Sequence, residues 1–125
     1  MLIGSRRSST VREVYQNRSR RAINSAIDEI KKSPIFSYVR HVYLYGSCAR
    51  AEQRFESDVD LLIELDTSFD AVSQKSDLIL DLKRRLSGAD DSLPDIEAKI
   101  VIGNQWKQDN SLFFQNIRKE GKLLW

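Results

Sequence analysis

The stretch from Tyr45 to Leu65, YGSCARAEQRFESDVDLLIEL, holds the residues best suited to chemistry. Gly46 lacks the Cβ that would keep a phosphate away from the backbone. Ser47 follows it where a helix start would offer unpaired amides, the positive end of the helix dipole and a hydroxyl to an anion. Asp58 and Asp60 stand two residues apart at the opening of a strand, so both carboxylates project from one face while Val59 points into the core. Two adjacent carboxylates repel unless a cation neutralises them. Mg²⁺, which prefers carboxylate, phosphate and water oxygens, suits such a pair. An anion-holding turn opposite a cation-holding pair is an arrangement for gripping a nucleoside triphosphate during in-line phosphoryl displacement.

The surrounding elements must place these two features across one cleft. Apolar residues at spacings of three and four predict an amphipathic helix over 9–32, ended by Ser33-Pro34. Val39 to Tyr45 reads as a buried strand, Ser47 to about Gln53 as a short helix, and Val59 to Leu65 as a second strand. A helix is expected over roughly Ala71 to Leu86. A third strand follows over Ile96–Ile102, and a last helix over 111–120 with Ser111 as its N-cap and Gly121 at its end. The catalytic core is thus expected over 39–102. The turn lies at the C-terminal end of one strand and the carboxylates at the start of the next. They can face each other only if those strands run antiparallel, which predicts an α/β fold with a mixed sheet of three to four strands flanked by helices.

The 125 residues are one small domain's worth, and no repeat, linker or low-complexity tract divides 1–125. Apolar runs are too short for a membrane span, the N-terminus has no signal-like apolar stretch, and the lone Cys48 forbids an internal disulfide, so a soluble cytoplasmic protein is expected. Net charge is only +2, but its distribution is uneven. Residues 1–40 carry nine Lys/Arg against three acids, whereas 41–99 carry seven against thirteen. The basic arm could contact nucleic acid or an acidic protein. With no aromatic interleaving or nucleic-acid motif, it reads instead as a solvated helix face.

Gly46-Ser47, the ten residues from Cys48 to Ser57, and Ser57-Asp58-Val59-Asp60-Leu61 together resemble the signature of the nucleotidyltransferase superfamily typified by the DNA polymerase beta palm. The small size is similar to that of its minimal members. The motif covers about a sixth of the chain. The resemblance implies Mg²⁺-dependent transfer of a nucleoside monophosphate from ATP or another triphosphate to a hydroxyl, with two metal ions. It implies that Gly46 and Ser47 bind the triphosphate, with Arg50 as a phosphate contact, and that Asp58 and Asp60 ligate metal. It implies a third catalytic, metal-ligating carboxylate on a later strand, for which Glu97 and Asp95 are the candidates. Glu97 is preferred for its place between Ile96 and Ala98, although Lys99 shares its face where the family has an apolar residue. Ala51 stands where related small proteins commonly have Gly.

The same residues have plainer readings. Asp58 and Asp60 could be solvated or paired with Arg54, Ser47 could be only an N-cap, and Arg50 could pair with carboxylates near Glu52 or with Asp58. Cys48 reads as an inert small side chain and His41 as a residue without a catalytic role. Trp106, Phe113, Phe114 and Trp125 read as core and cover. Minimal nucleotidyltransferases also resemble one half of toxin-antitoxin modules whose other half is an all-helical HEPN ribonuclease. That resemblance implies a second function, neutralising such a partner by modification or by simple binding. A nucleotide binder without turnover is a third.

Overall fold

The computed structural model describes residues 2–52, 57–87 and 92–125, with side chains from Val11 onward. Helix α1 runs Leu2–Lys32, then strands β1 (Val39–Tyr45) and β2 (Val59–Leu65), helix α2 (Lys75–Leu86), strand β3 (Ile96–Ile102), helix α3 (Leu112–Glu120) and a two-residue strand β4 (Lys122–Leu123). The sheet order is β3-β2-β1-β4. β1 pairs antiparallel with β2, and β2 parallel with β3, so the expected mixed sheet forms, with β4 completing its far edge. The β1–β2 reversal is a direct return, whereas the parallel β2–β3 pair needs a crossover, which α2 supplies.

Central β2 explains why the segment DVDLLIEL is so apolar. Val59, Leu61, Leu62, Ile63 and Leu65 are all fully buried, which happens only to a strand covered on both faces. One face carries Val42, Leu44, Val59, Leu61, Ile63 and Leu65 against the helices. From α1 it receives Ala22, Ala26 and Ile30, four residues apart, whose small size at two of three positions lets the helix lie close. The opposite face carries Leu62 and Tyr43 beneath Trp106, Phe114 and Ile117. That second layer stops short of the Asp60 end, and the gap it leaves is the site. Among the described residues no helix is long and apolar enough to cross a membrane.

All three main strands have the bounds expected from their residues, and α3 is capped by Ser111 as expected, its hydroxyl accepting from the Phe114 N–H at 3.4 Å. Three expectations need correction. α1 begins at Leu2, earlier than residue 9. The helix expected from Ala71 starts at Lys75, because Asp66 accepts from the Ser68 N–H at 2.8 Å and caps a separate 3₁₀ turn over Thr67–Ala71 that buries Phe69. The helix expected over 47–53 is a single turn. Ala49 and Arg50 both donate to the Gly46 carbonyl, at 3.1 and 3.3 Å, and Ala51 then takes φ 57°, a left-handed conformation that ends the helical path. Gln53 and Arg54 lie outside the described residues, as do Asp90 and Asp91.

Candidate active site

The turn after β1 is shaped by a positive φ at each end. Gly46 has φ 77° and Ala51 φ 57°, and just beyond Ala51 the Glu52 N–H reaches back to the Ser47 carbonyl at 2.9 Å. The Ser47 and Cys48 amides donate to no carbonyl among the described residues. They belong to the turn's own opening, where an anion could accept from them. Cys48 is buried behind it. Its thiol donates to the Asp58 carbonyl at 3.5 Å and so ties the turn to the acidic segment, and burial pushes its pKa up, which keeps it an inert thiol.

The carboxylates come from the two strands on either side of the β2–β3 pairing. Asp60 stands opposite Tyr45 on β1 and Glu97 on β3. Residues directly opposite share a face, so the three side chains project together. Gly46 meets this group at close range. A Cβ built there would collide with the Asp60 Oδ2, so glycine is required by both its backbone angle and its neighbour. The structure therefore brings Gly46 and Asp60 to one cleft.

Electrostatics marks the same spot. The Asp60 carboxyl is raised above the usual carboxylate range, first by burial, then by the negative charges of Asp58 and Glu97, with Arg50 opposing. The Tyr45 phenol is pushed up to about 12 by burial and by Asp60 and Glu97. No donor among the described residues hydrogen-bonds to Asp58 or Asp60 through the side chain. Among the described residues no group of three His, Cys, Asp or Glu forms a ready metal cage. Mg²⁺ is commonly held by one or two carboxylates together with phosphate and water oxygens. The donor chemistry, all carboxylate and short of positive partners, fits such an ion.

The other expected residues take distinct places. Asp95 precedes β3 and its carbonyl accepts the Val59 N–H at 2.8 Å, so it extends the ladder, while Glu97 is the residue opposite Asp60. Lys99 shares the face of Glu97, with its ammonium 5.9 Å from the centre of the Phe113 ring. Arg50 donates to Glu120 at 2.9 Å and lies 3.5 Å from Glu52. The Glu52 pairing was among the plain readings of the sequence. Glu120, seventy positions away, carried no signal. Phe113 was read as cover, yet it packs edge-on against Tyr45 at 5.6 Å beside the site.

A family model described as "Polymerase beta, Nucleotidyltransferase" matches residues 24–125. Among solved structures, the chain is similar to one described as a "putative nucleotidyltransferase from Sulfolobus solfataricus", with 16% identity and a TM-score of 0.62 over 92% of this chain and 86% of that one. This second likeness is one of fold. No curated protein matches.

Proposed function

Because the chain belongs to the polymerase beta nucleotidyltransferase family, we propose that it moves a nucleoside monophosphate from ATP or another nucleoside triphosphate to a hydroxyl acceptor in a Mg²⁺-dependent reaction. The observation that carries this reading is the contact between Gly46 and Asp60, which sets an amide-bearing turn against a crowded carboxylate. In this reading the Ser47 and Cys48 amides and the Ser47 hydroxyl hold the triphosphate. Asp58 and Asp60 hold the cation, with Glu97 completing the acidic face. Arg50, ion-paired with Glu120, is the phosphate contact at the edge of the same cleft. Two bound Mg²⁺ ions would neutralise the triphosphate, lower the pKa of the attacking hydroxyl and stabilise the leaving group. The acceptor oxygen forms a bond to the α-phosphorus, the bond to the bridging oxygen of the β-phosphate breaks, and pyrophosphate leaves with the electron pair. The acceptor's proton passes to solvent. The cytoplasm is the compartment we assign to it.

The test is transfer of label from α-labelled ATP to acceptors offered with Mg²⁺. Transfer is expected to disappear on chelation and in Asp58→Ala/Asp60→Ala. Unchanged transfer in that variant overturns the reading. Calorimetric binding of ATP with Mg²⁺ but no transfer to any acceptor would mark a nucleotide binder without turnover.

A second reading is neutralisation of a HEPN-type helical partner by complex formation. It is favoured by α1, whose buried residues Ala22, Ala26 and Ile30 lie in its C-terminal half, while Val11 and Val14 are 49% and 47% exposed one turn apart. Neutralisation that survives Asp58→Ala/Asp60→Ala would identify binding as sufficient. Absence of any helical protein on purification from the native host would count against it.

A further inference from the structure

We propose that the cleft between the Gly46 turn and α3 seats the base of the nucleoside triphosphate, with Phe113 as its stacking surface and Asn116 as its edge reader. This rests on the nucleotidyltransferase reading and adds a subsite to it. Positions 113, 116, 117 and 120 recur at helical spacing and so share one face of α3. That face looks onto Tyr45, Gly46 and Arg50 across a cavity of about 200 Å³. The cavity is continuous with the proposed phosphate turn through Gly46, the residue that also touches Asp60. It is smaller than the roughly 300–1,000 Å³ of sites that enclose a whole drug-sized ligand, a size suited to one planar ring with the rest of the nucleotide outside it.

The walls supply what a base needs. Phe113 is 42% exposed although it is held in place by edge contacts to Tyr45 at 5.6 Å and Phe114 at 5.1 Å. The Lys99 ammonium lies 5.9 Å from the ring centre, so a base stacking on Phe113 meets the exposed part of a fixed aromatic ring with a cation beside it. Asn116 is exposed, and its amide has no hydrogen-bond partner among the described residues. An amide offers a donor and an acceptor side by side, the pairing that matches a base edge. At the far wall Glu120 is ion-paired with Arg50 at 2.9 Å, which offsets its charge at that side of the cleft.

The experiment compares binding of ATP and of inorganic tripolyphosphate, each with Mg²⁺, to the full chain and to Phe113→Ala and Asn116→Ala, by calorimetry. Phe113→Ala is expected to weaken ATP by about tenfold or more and leave tripolyphosphate within about twofold. Asn116→Ala, at an exposed position, is expected to weaken ATP about fivefold with the same indifference to tripolyphosphate. Equal loss for both ligands in both variants, or ATP binding unchanged in both, overturns the subsite. So does a wild-type chain that holds tripolyphosphate as tightly as ATP, an outcome that leaves the triphosphate turn standing. A wild-type chain that binds neither ligand removes the nucleotidyltransferase reading and the subsite with it.

Discussion

Two acids on the same face of β2, Asp60 and Glu64, are four residues apart and have opposite surroundings. Glu64 is buried to 3% exposure and accepts the indole N–H of Trp106 at 2.7 Å. That indole is itself wedged by Tyr43 and Phe114. Asp60 is left half-buried among Asp58, Glu97 and the Tyr45 phenol, and no donor reaches it among the described residues. A buried polar group ordinarily has a partner, because desolvation without one costs about 1–3 kcal/mol. The fold meets that demand at the sealed end of the strand and leaves it open at the other. The difference separates an acid that holds structure from one available to a ligand.

The largest expected effect tests the open end. Asp60→Asn removes the charge while keeping the shape, and label transfer should fall by about 10²–10³-fold or more. Because the native site disfavours ionised Asp60, the same change should hold the melting temperature or raise it by up to about 4 °C. Loss of activity together with a lower melting temperature would make Asp60 a structural acid like Glu64. The sealed end should respond the opposite way. Trp106→Phe strips the donor from a buried carboxyl group and is expected to cost about 2–4 kcal/mol in urea unfolding, with transfer by the folded fraction within about threefold of wild type. Adding Glu64→Leu should recover much of that loss, since an apolar pair of similar size needs no donor. A double variant no more stable than Trp106→Phe alone would show that the indole's packing, and not its hydrogen bond, is what matters.

The contrast also explains what could be read in advance. The strands were legible because β1, β2 and β3 are β-branched or apolar runs bounded by turn residues, and the antiparallel pairing of β1 with β2 followed from the need to face a turn toward a carboxylate pair. Gly46, Asp58 and Asp60 were legible because glycine and alternating acids carry local meaning. Trp106 over Glu64 and Glu120 on Arg50 join positions 42 and 70 residues apart, and no local pattern encodes such a meeting. The turn at 47–51 misled for a different reason. Its residues, Ser, Cys, Ala, Arg and Ala, tolerate a helix, and only the tertiary requirement at Ala51 stops one. β4 is two residues long and forms because Gly121, its N–H bonded to Ile117 at 2.7 Å, turns the chain back onto β1.

Gly46→Ala strikes the open end through its backbone. It places a Cβ against the Asp60 carboxylate at φ 77°, so transfer should drop by more than about tenfold and stability by about 1–3 kcal/mol. If Asp60 were free to swing aside at no cost to function, stability alone would suffer, and the contact would lose its meaning for the site.

The smallest effect sits at the other end of the same turn. Ala51 holds φ 57° with a Cβ, in a conformation that glycine adopts without steric cost. Ala51→Gly relieves that strain but also loosens the unfolded chain, which offsets part of the gain. The net expectation is a stabilisation of about 1 kcal/mol, read from chemical unfolding, with transfer unchanged. Strain of this kind persists only where the surrounding structure imposes it. Here the constraints are Cys48 fixed to the Asp58 carbonyl on one side and Arg50 fixed to Glu120 on the other. A more stable Ala51→Gly variant with full transfer would mean the strain is incidental to the turn's task. A more stable variant with weakened ATP binding would mean that Ala51, by stiffening the loop, keeps the Ser47 and Cys48 amides aimed at the triphosphate, so that the open end of the strand is held ready by strain just as the sealed end is held shut by packing.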